Sequence, residues 1–274
     1  MSKGTQNANF ESIGEGIPII SLHGWSGSSA FGIRLLEPVF ENHPGWQRFY
    51  LDLPGHGKTP APSWIKNSDG MLEFVQDFIQ EHIGDSPFAI VTSSYSAIIA
   101  RAIIHRTPEK VLGYCGVVPM SEADDAKRVV PDTQVLIKED AGRKLLTEVQ
   151  KERFGNILVI QSEAVIKKIL ADIEKELPVD EIFLDSIRSD PTRYGLSTTI
   201  DKFDQPFEKP SLFIMGRQDN VCGYQQTWDN IEDYPRATFA VLDRAGHILS
   251  YEHPALAQTL VGDWLDRVKE TITE

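Results

Sequence analysis

Cysteine is scarce. Cys115 and Cys222 are the only two among 274 residues, too few for a disulfide framework and without the paired spacing of a zinc site. Cys115 lies in an apolar run and reads as a small core residue. A reducing, cytoplasmic compartment is the simplest setting for such a chain. Positive charge is also in deficit: 27 Lys and Arg stand against 40 Asp and Glu, a formal net charge of -13 at pH 7. That balance argues against nucleic acid or an anionic membrane as partner. No apolar run approaches the length of a membrane span. The opening stretch Met1–Asn9 is polar and lacks the apolar centre of a secretory signal. Internal repeats and low-complexity segments are missing. So are H-E-x-x-H, the P-loop and a G-x-G-x-x-G after a strand, so chemistry on a small-molecule substrate without metal or cofactor is expected. Oligomeric state is not legible, and a homo-oligomer is left open.

What is present is enough hydrophobic material, 41% of residues, for a sizeable core. It is arranged as short apolar runs: Ile17–Leu22, Gln47–Leu51, Phe88–Val91, Val111–Val118, Ser211–Met215 and Thr238–Leu242. Such runs suit strands buried on both faces. A shorter strand is expected over 9–15. Helices are predicted over Ala30–Phe40, Gly70–Ile83, Ala97–Ile104 and Pro254–Lys269. The alternation specifies an α/β fold with a mostly parallel sheet flanked by helices. Between Ser121 and Phe203 the rhythm changes. Helices are predicted over Gly142–Phe154 and Ser162–Leu177, the latter with Val165, Ile166, Ile169, Leu170 and Ile173 on one face. The reading is a core of residues 1–120 and 204–274 carrying an inserted helical cap, 121–203, that lines the substrate pocket and excludes water.

The chemistry centres on Thr92-Ser93-Ser94-Tyr95-Ser96, where an apolar strand runs directly into a helix. A serine at such a junction sits in the setting of a nucleophile elbow, usually G-x-S-x-G. The flanking positions must be small because strand end and helix start nearly touch. With Ser93 as nucleophile, Tyr95 would have to fit a small site; with Ser96, Ile98 would. Ser94 has modest residues on both sides and is assigned. A serine hydroxyl needs a base, and the base an orienting partner. In this architecture they follow in the order Ser, Asp or Glu, His, each past the end of a later strand. Gly216-Arg217-Gln218-Asp219 and Asp243-Arg244-Ala245-Gly246-His247 occupy those places. Asp219 is read as the orienting acid and His247 as the base; Asp243, only four residues before His247, is the rival acid. Two backbone N–H groups, of Trp25 and Tyr95, are the candidate oxyanion donors, each able to contribute about 2.7–4 kcal/mol to the transition state. His23 is expected to brace its loop.

The His23-Gly24 loop, Asp52-x-Pro54-Gly55-x-Gly57, the elbow, the cap, Gly216-Arg-Gln-Asp219 and Gly246-His247 together resemble the α/β-hydrolase superfamily, in its cap-bearing, serine-nucleophile branch, over nearly the whole chain. The resemblance implies a Ser94–His247–Asp219 triad with Trp25 and Tyr95 as oxyanion donors, and a hydrolase for an ester, thioester, amide or activated C–C bond of a small, partly apolar molecule. The departure is the elbow, where Thr92 and Ser96 replace glycines. His23–Ser29 and Asp52–Thr59 are also similar to stretches of a menaquinone-pathway lyase that uses the same triad. The arginine which that enzyme carries just after its nucleophile has no obvious counterpart here, Arg101 lying too far along the helix. Haloalkane dehalogenases and epoxide hydrolases share the layout but place Asp at the elbow. A non-catalytic binding protein on the same fold is the third reading.

Overall fold

In the computed structural model, which describes residues 5–173, 179–198 and 203–273, each apolar run becomes a strand. In chain order the first half contains β1 (Phe10–Ile13), β2 (Ile17–Leu22), α1 (Ala30–Phe40), β3 (Trp46–Leu51), α2 (Ser68–His82), β4 (Phe88–Ser93), α3 (Ser96–Arg106) and β5 (Val111–Val117). Helix α2 starts where Asn67 accepts the Gly70 N–H (3.1 Å), satisfying one orphan donor of its first turn.

The next segment departs from the sheet rhythm. It holds β6 (Ile137–Lys138), α4 (Asp140–Arg143), α5 (Glu148–Gly155), β7 (Ile160–Gln161), α6 (Glu163–Ile173), α7 (Glu181–Arg188) and α8 (Pro191–Tyr194). One expectation is corrected here. The single helix over Gly142–Phe154 is two helices, because Thr147 and Gln150 form a capping box that begins a new one. Strands β6 and β7 pair in parallel outside the main sheet; at two residues each they leave no periodicity to read. Helix α6 runs to Ile173, and positions 174–177 of the predicted helix lie outside the described residues, as does the start of the chain, 1–4. The chain closes with β8 (Ser211–Gly216), α9 (Gln225–Trp228), β9 (Ala237–Leu242), α10 (Leu249–Glu252) and α11 (Pro254–Thr273).

The main sheet has seven strands in the order β1-β3-β2-β4-β5-β8-β9. Only β1 is antiparallel to its neighbour. Helices α2 and α3 bury Phe74, Phe78, Ile99 and Ile103 on one face, and α1 and α11 bury Leu35, Leu36, Trp264 and Leu265 on the other. Both faces being covered, the strands can be apolar throughout; all six residues of β4 and of β8 are buried. Because the strands run parallel, the loops after β2, β4, β8 and β9 gather along one edge. Among the described residues no helix is long and apolar enough to cross a membrane.

The mainly helical segment has a small apolar cluster of its own, including Phe154, Leu158, Ile166 and Ile169, against which Ile248 and Tyr251 pack. One of its polar ties to the core is the buried Glu252 carboxylate. One oxygen accepts the Val159 and Ile160 N–H groups (2.7 and 3.0 Å), and the other accepts that of Gly246 (2.6 Å). Burial raises the Glu252 pKa even against these three donors. Glu252→Ala strands three buried N–H groups, each at a cost of about 1–3 kcal/mol. Urea denaturation should show a loss of at least ~3 kcal/mol, with Glu252→Gln falling between the two. Equal midpoints for Glu252→Ala and wild type would refute this tie.

Candidate active site

Ser94 sits between β4 and α3 with φ +52°, a left-handed backbone that costs a non-glycine residue about 1–3 kcal/mol. Its neighbours hold it there. The Ser94 N–H donates to the Val117 carbonyl (3.0 Å), and the Ser94 carbonyl accepts from Ala97 (3.1 Å) and Met120 (3.0 Å). The two unusual elbow positions are fully buried, and both hydroxyls have partners. Thr92 Oγ1 is 3.1 Å from the Tyr114 hydroxyl. Ser96 Oγ accepts the Ser93 N–H (3.1 Å) and lies within donating distance of the Leu22 carbonyl (2.8 Å). The close backbone approach falls instead to Gly24, where a Cβ would lie 3.0 Å from Ser94 Cβ.

The loop after β2 is fixed by two neutral histidines. His23 Nε2 accepts the Leu53 N–H (3.0 Å), which leaves Nδ1–H to donate to the Gly24 carbonyl (2.7 Å). His56 Nε2 accepts the Ser26 N–H (3.1 Å), and its Nδ1–H donates to Pro54 (3.0 Å). Burial lowers the His23 pKa and drives that of His56 down to about 3. The Asp52 carboxylate accepts N–H groups of Ser29 (2.8 Å) and Lys58 (3.1 Å). Gly57, at φ +54°, is required beside it, since a Cβ there would come within 2.2 Å of that carboxylate. The Asp52–Gly57 motif thus shapes the loop. Among the described residues the Trp25 and Tyr95 backbone N–H groups have no acceptor.

Asp219 follows β8 and is fully buried. Its Oδ1 accepts the N–H groups of Val221 (2.9 Å) and Cys222 (3.0 Å). Both carboxylate oxygens face His247 Nδ1, at 3.2 and 3.1 Å. That contact assigns the Nδ1–H tautomer and leaves Nε2 as the basic atom. Burial is the largest influence on His247 and opposes its charge. The Asp219 carboxylate, aided by Cys222, outweighs it, and the His247 pKa is raised well above the ordinary value. Asp243, the rival acid, accepts instead from Gln218 Nε2 (3.2 Å). Gln218 Oε1 in turn accepts the Ala245 N–H (3.2 Å), zipping together the loops that carry Asp219 and His247.

Trp25, Ser94 and His247 line one cavity of about 160 Å³. Among the described residues none of its lining comes from 121–203, which meets the rim. There Arg34, a lining residue, pairs with Asp172 of α6 (3.0 Å) and donates to the Tyr251 hydroxyl (2.7 Å). Behind the wall, Tyr194 of α8 packs on Tyr95 and on Trp25, with ring centroids 5.0 Å apart in each pair. Among the described residues Ser94 Oγ makes no hydrogen bond to His247; its side-chain partner is Cys222 Sγ at 3.7 Å. Cys222 was invisible to motif reading, although it stands only three residues after Asp219. Arg34 and Glu252 carried no local signal at all.

The profile of the alpha/beta hydrolase fold family matches residues 17–142. Over 94% of this chain and 99% of its own length, a pimeloyl-[acyl-carrier protein] methyl ester esterase of Legionella pneumophila (strain Corby) is 20% identical. Among solved structures, an alpha/beta superfamily hydrolase from Oenococcus oeni PSU-1 superposes with a TM-score of 0.85 at 27% identity, covering 97% of both chains. A meta-cleavage product hydrolase from Pseudomonas fluorescens IP01 superposes at 0.71 with 19% identity, covering 94% of both.

Below the ordinary histidine value of 6.5 the unfolded chain takes up a proton that buried His56 refuses down to about 3. Its folded pKa being depressed, stability is highest above that ordinary value and falls as pH drops from it toward the folded one. Between about pH 7.5 and 5.5 the His56 contribution to this loss is about 1.4 kcal/mol. Urea titrations at both pH values should show His56→Gln losing less than wild type by about that amount; parallel losses would exclude His56 as the source.

Proposed function

This chain belongs to the α/β-hydrolase superfamily, and on that premise we propose that it is a serine esterase for small carboxylic esters. The observation that carries the reading is one cavity faced by both a left-handed Ser94 and a His247 whose Nδ1 is held by buried Asp219. In this mechanism the ester carbonyl enters the cavity, and Ser94 Oγ turns from Cys222 toward His247 Nε2, which takes its proton as Oγ attacks. The Trp25 and Tyr95 N–H groups receive the oxyanion. Proton return to the leaving alcohol gives an acyl-Ser94 ester, and water activated by the same histidine hydrolyses it. Asp219 holds the imidazole and stabilises its cationic form.

At about 160 Å³ the cavity is smaller than the roughly 300–1,000 Å³ of typical ligand pockets, which supports a short acyl group. The named esterase relative supports an ester as the bond. Residues 121–203 serve as the cap over a core of 1–120 and 204–274, meeting the rim through Asp172 and backing the oxyanion loops through Tyr194. The lyase reading would use Arg34 to hold an acidic substrate, but Asp172 already neutralises that guanidinium. The binding-protein reading draws on the absent Ser94–His247 hydrogen bond. Triads without substrate are commonly loose at that contact and tighten in the complex, so geometry alone does not favour it.

Fluorophosphonate labelling with mass spectrometry should place the adduct on Ser94 and lose it in Ser94→Ala. On p-nitrophenyl esters, Ser94→Ala and His247→Ala should each lower kcat at least about 10⁴-fold, and acetate or propionate should be preferred over octanoate. An adduct on Ser93 or Ser96 would refute the assignment of the nucleophile. Folded protein that neither labels nor turns over any ester would favour the binding protein.

A further inference from the structure

Cys222 is a buried thiol that the proposed reaction does not use. Its Sγ is 3.7 Å from Ser94 Oγ, and one donor atom from each of Asp219, Cys222 and His247 lies within 4.8 Å of the others. The arrangement is local in origin. Asp219 and Cys222 flank a tight turn closed by the Cys222 N–H on Asp219 Oδ1 (3.0 Å) and the Gly223 N–H on the Asp219 carbonyl (3.1 Å). A D-x-x-C turn of this kind presents a carboxylate and a sulfur on one side, and the loop after β9 adds the imidazole.

Bond lengths to zinc of about 2.3 Å for sulfur and 2.0–2.2 Å for nitrogen and oxygen imply tetrahedral edges of about 3.3–3.6 Å. The His247 Nδ1–Asp219 Oδ2 separation of 3.1 Å and the Ser94 Oγ–Cys222 Sγ separation of 3.7 Å are close to such edges. The remaining donor pairs among Asp219, Cys222 and His247 lie within 4.8 Å, so those side chains have to draw closer to reach such edges. The donor set mixes sulfur, nitrogen and a single carboxylate. It therefore suits Zn²⁺ or Cd²⁺ and disfavours Mg²⁺ and Ca²⁺, which take oxygen shells. A thiolate and a carboxylate also neutralise a divalent charge.

We propose that Asp219, Cys222 and His247 form a binding site for a thiophilic divalent cation of the Zn²⁺ class, with Ser94 Oγ or a water as fourth ligand, and that the bound ion switches the hydrolase off. Binding releases the Cys222 thiol proton to solvent. It inhibits because a metal on either ring nitrogen of His247 removes the base or its link to Asp219. Binding is independent of the reaction proposed above; the inhibition rests on it.

The test uses the full chain. Isothermal titration with Zn²⁺ should give one site per chain whose affinity falls at least about 10-fold in Cys222→Ser and in His247→Gln. Cys222→Ser keeps the shape of the side chain and so separates ligand loss from misfolding. Co²⁺ in place of Zn²⁺ should produce a thiolate-to-cobalt charge-transfer band in wild type that Cys222→Ser abolishes. Ester hydrolysis should be inhibited by Zn²⁺ and restored by EDTA, and the inhibitory concentration should rise in Cys222→Ser by the same factor as the dissociation constant, each variant being compared with its own metal-free rate. Binding that is absent, or indifferent to Cys222, overturns the site. Binding with the cobalt band but undiminished turnover overturns the switch alone. A chain without esterase activity that still shows the band sinks the proposed function and leaves the site standing.

Discussion

Everything at the candidate site depends on the backbone of Ser94 being held in a conformation it would not choose. A φ of +52° is kept because the surrounding hydrogen bonds cannot be made otherwise. The Val117 carbonyl takes the Ser94 N–H, and the Met120 N–H reaches back to the Ser94 carbonyl. Both restraints come from β5 and the turn just after it, which pairs in parallel with β4 through Ser93↔Val117. The elbow is therefore set by the sheet, and changing the register of that pair would release it. Thr92 and Ser96 stand where glycines are usual with both hydroxyls partnered, Thr92 by Tyr114 of β5 and Ser96 by the Ser93 N–H and the Leu22 carbonyl, while Gly24 makes the close approach to Ser94.

The layered architecture was legible in the sequence, and the candidate serine, acid and histidine positions were picked out by the same reasoning. Strands buried on both faces must be apolar without interruption, and parallel strands must end at one edge, so a polar residue just beyond an apolar run marks that edge. Ser94, Asp219 and His247 each occupy such a position. Asp219 has a strand-end loop to itself, whereas Asp243 stands only four residues before His247; in the structure Asp219 meets His247 Nδ1 and Asp243 meets Gln218. The break between α4 and α5 was written in Thr147-x-x-Gln150, a local signal that the helical spacing around it obscured. Glu252 and Arg34 could not be found that way. Their partners lie 93 and 138 residues away, and neither sits in a pattern that distinguishes it from a solvated side chain.

The helical segment relates to the cavity differently from what its amphipathic pattern suggests. Part of its apolar surface forms its own cluster, against which Ile248 and Tyr251 pack, while Ile187 and Tyr194 join the main core. The segment meets the cavity through Tyr194, which packs on Trp25 and Tyr95, and through polar contacts at the rim. Arg34 joins three elements there: α1, which carries it, α6 through Asp172, and α10 through Tyr251, over whose ring the guanidinium stacks at 3.8 Å. Glu252 makes a second junction, holding the Gly246 N–H beside the base with the same carboxylate that holds Val159 and Ile160. The helical segment is thereby tied to the His247 loop by hydrogen bonds as well as by the apolar surface it shares with Ile248 and Tyr251.

Three histidines near the site show how one side chain takes different roles from its partners alone. His23 and His56 are buried among backbone groups: each accepts an N–H at one nitrogen and donates to a carbonyl at the other. Nothing nearby compensates a charge well enough to overcome burial, and their pKa values fall. They act as fixed neutral struts for the Trp25 loop. His247 is placed against a carboxylate that is itself held by two backbone N–H groups, and its pKa rises. A base for serine chemistry has to carry a proton transiently without leaving its position. Of the three, only His247 has an acid at Nδ1 to hold the ring while it carries a proton. The same acid and the thiol three residues beyond it surround that imidazole, so the contacts that suit His247 to the proposed base role are also those of the proposed metal site.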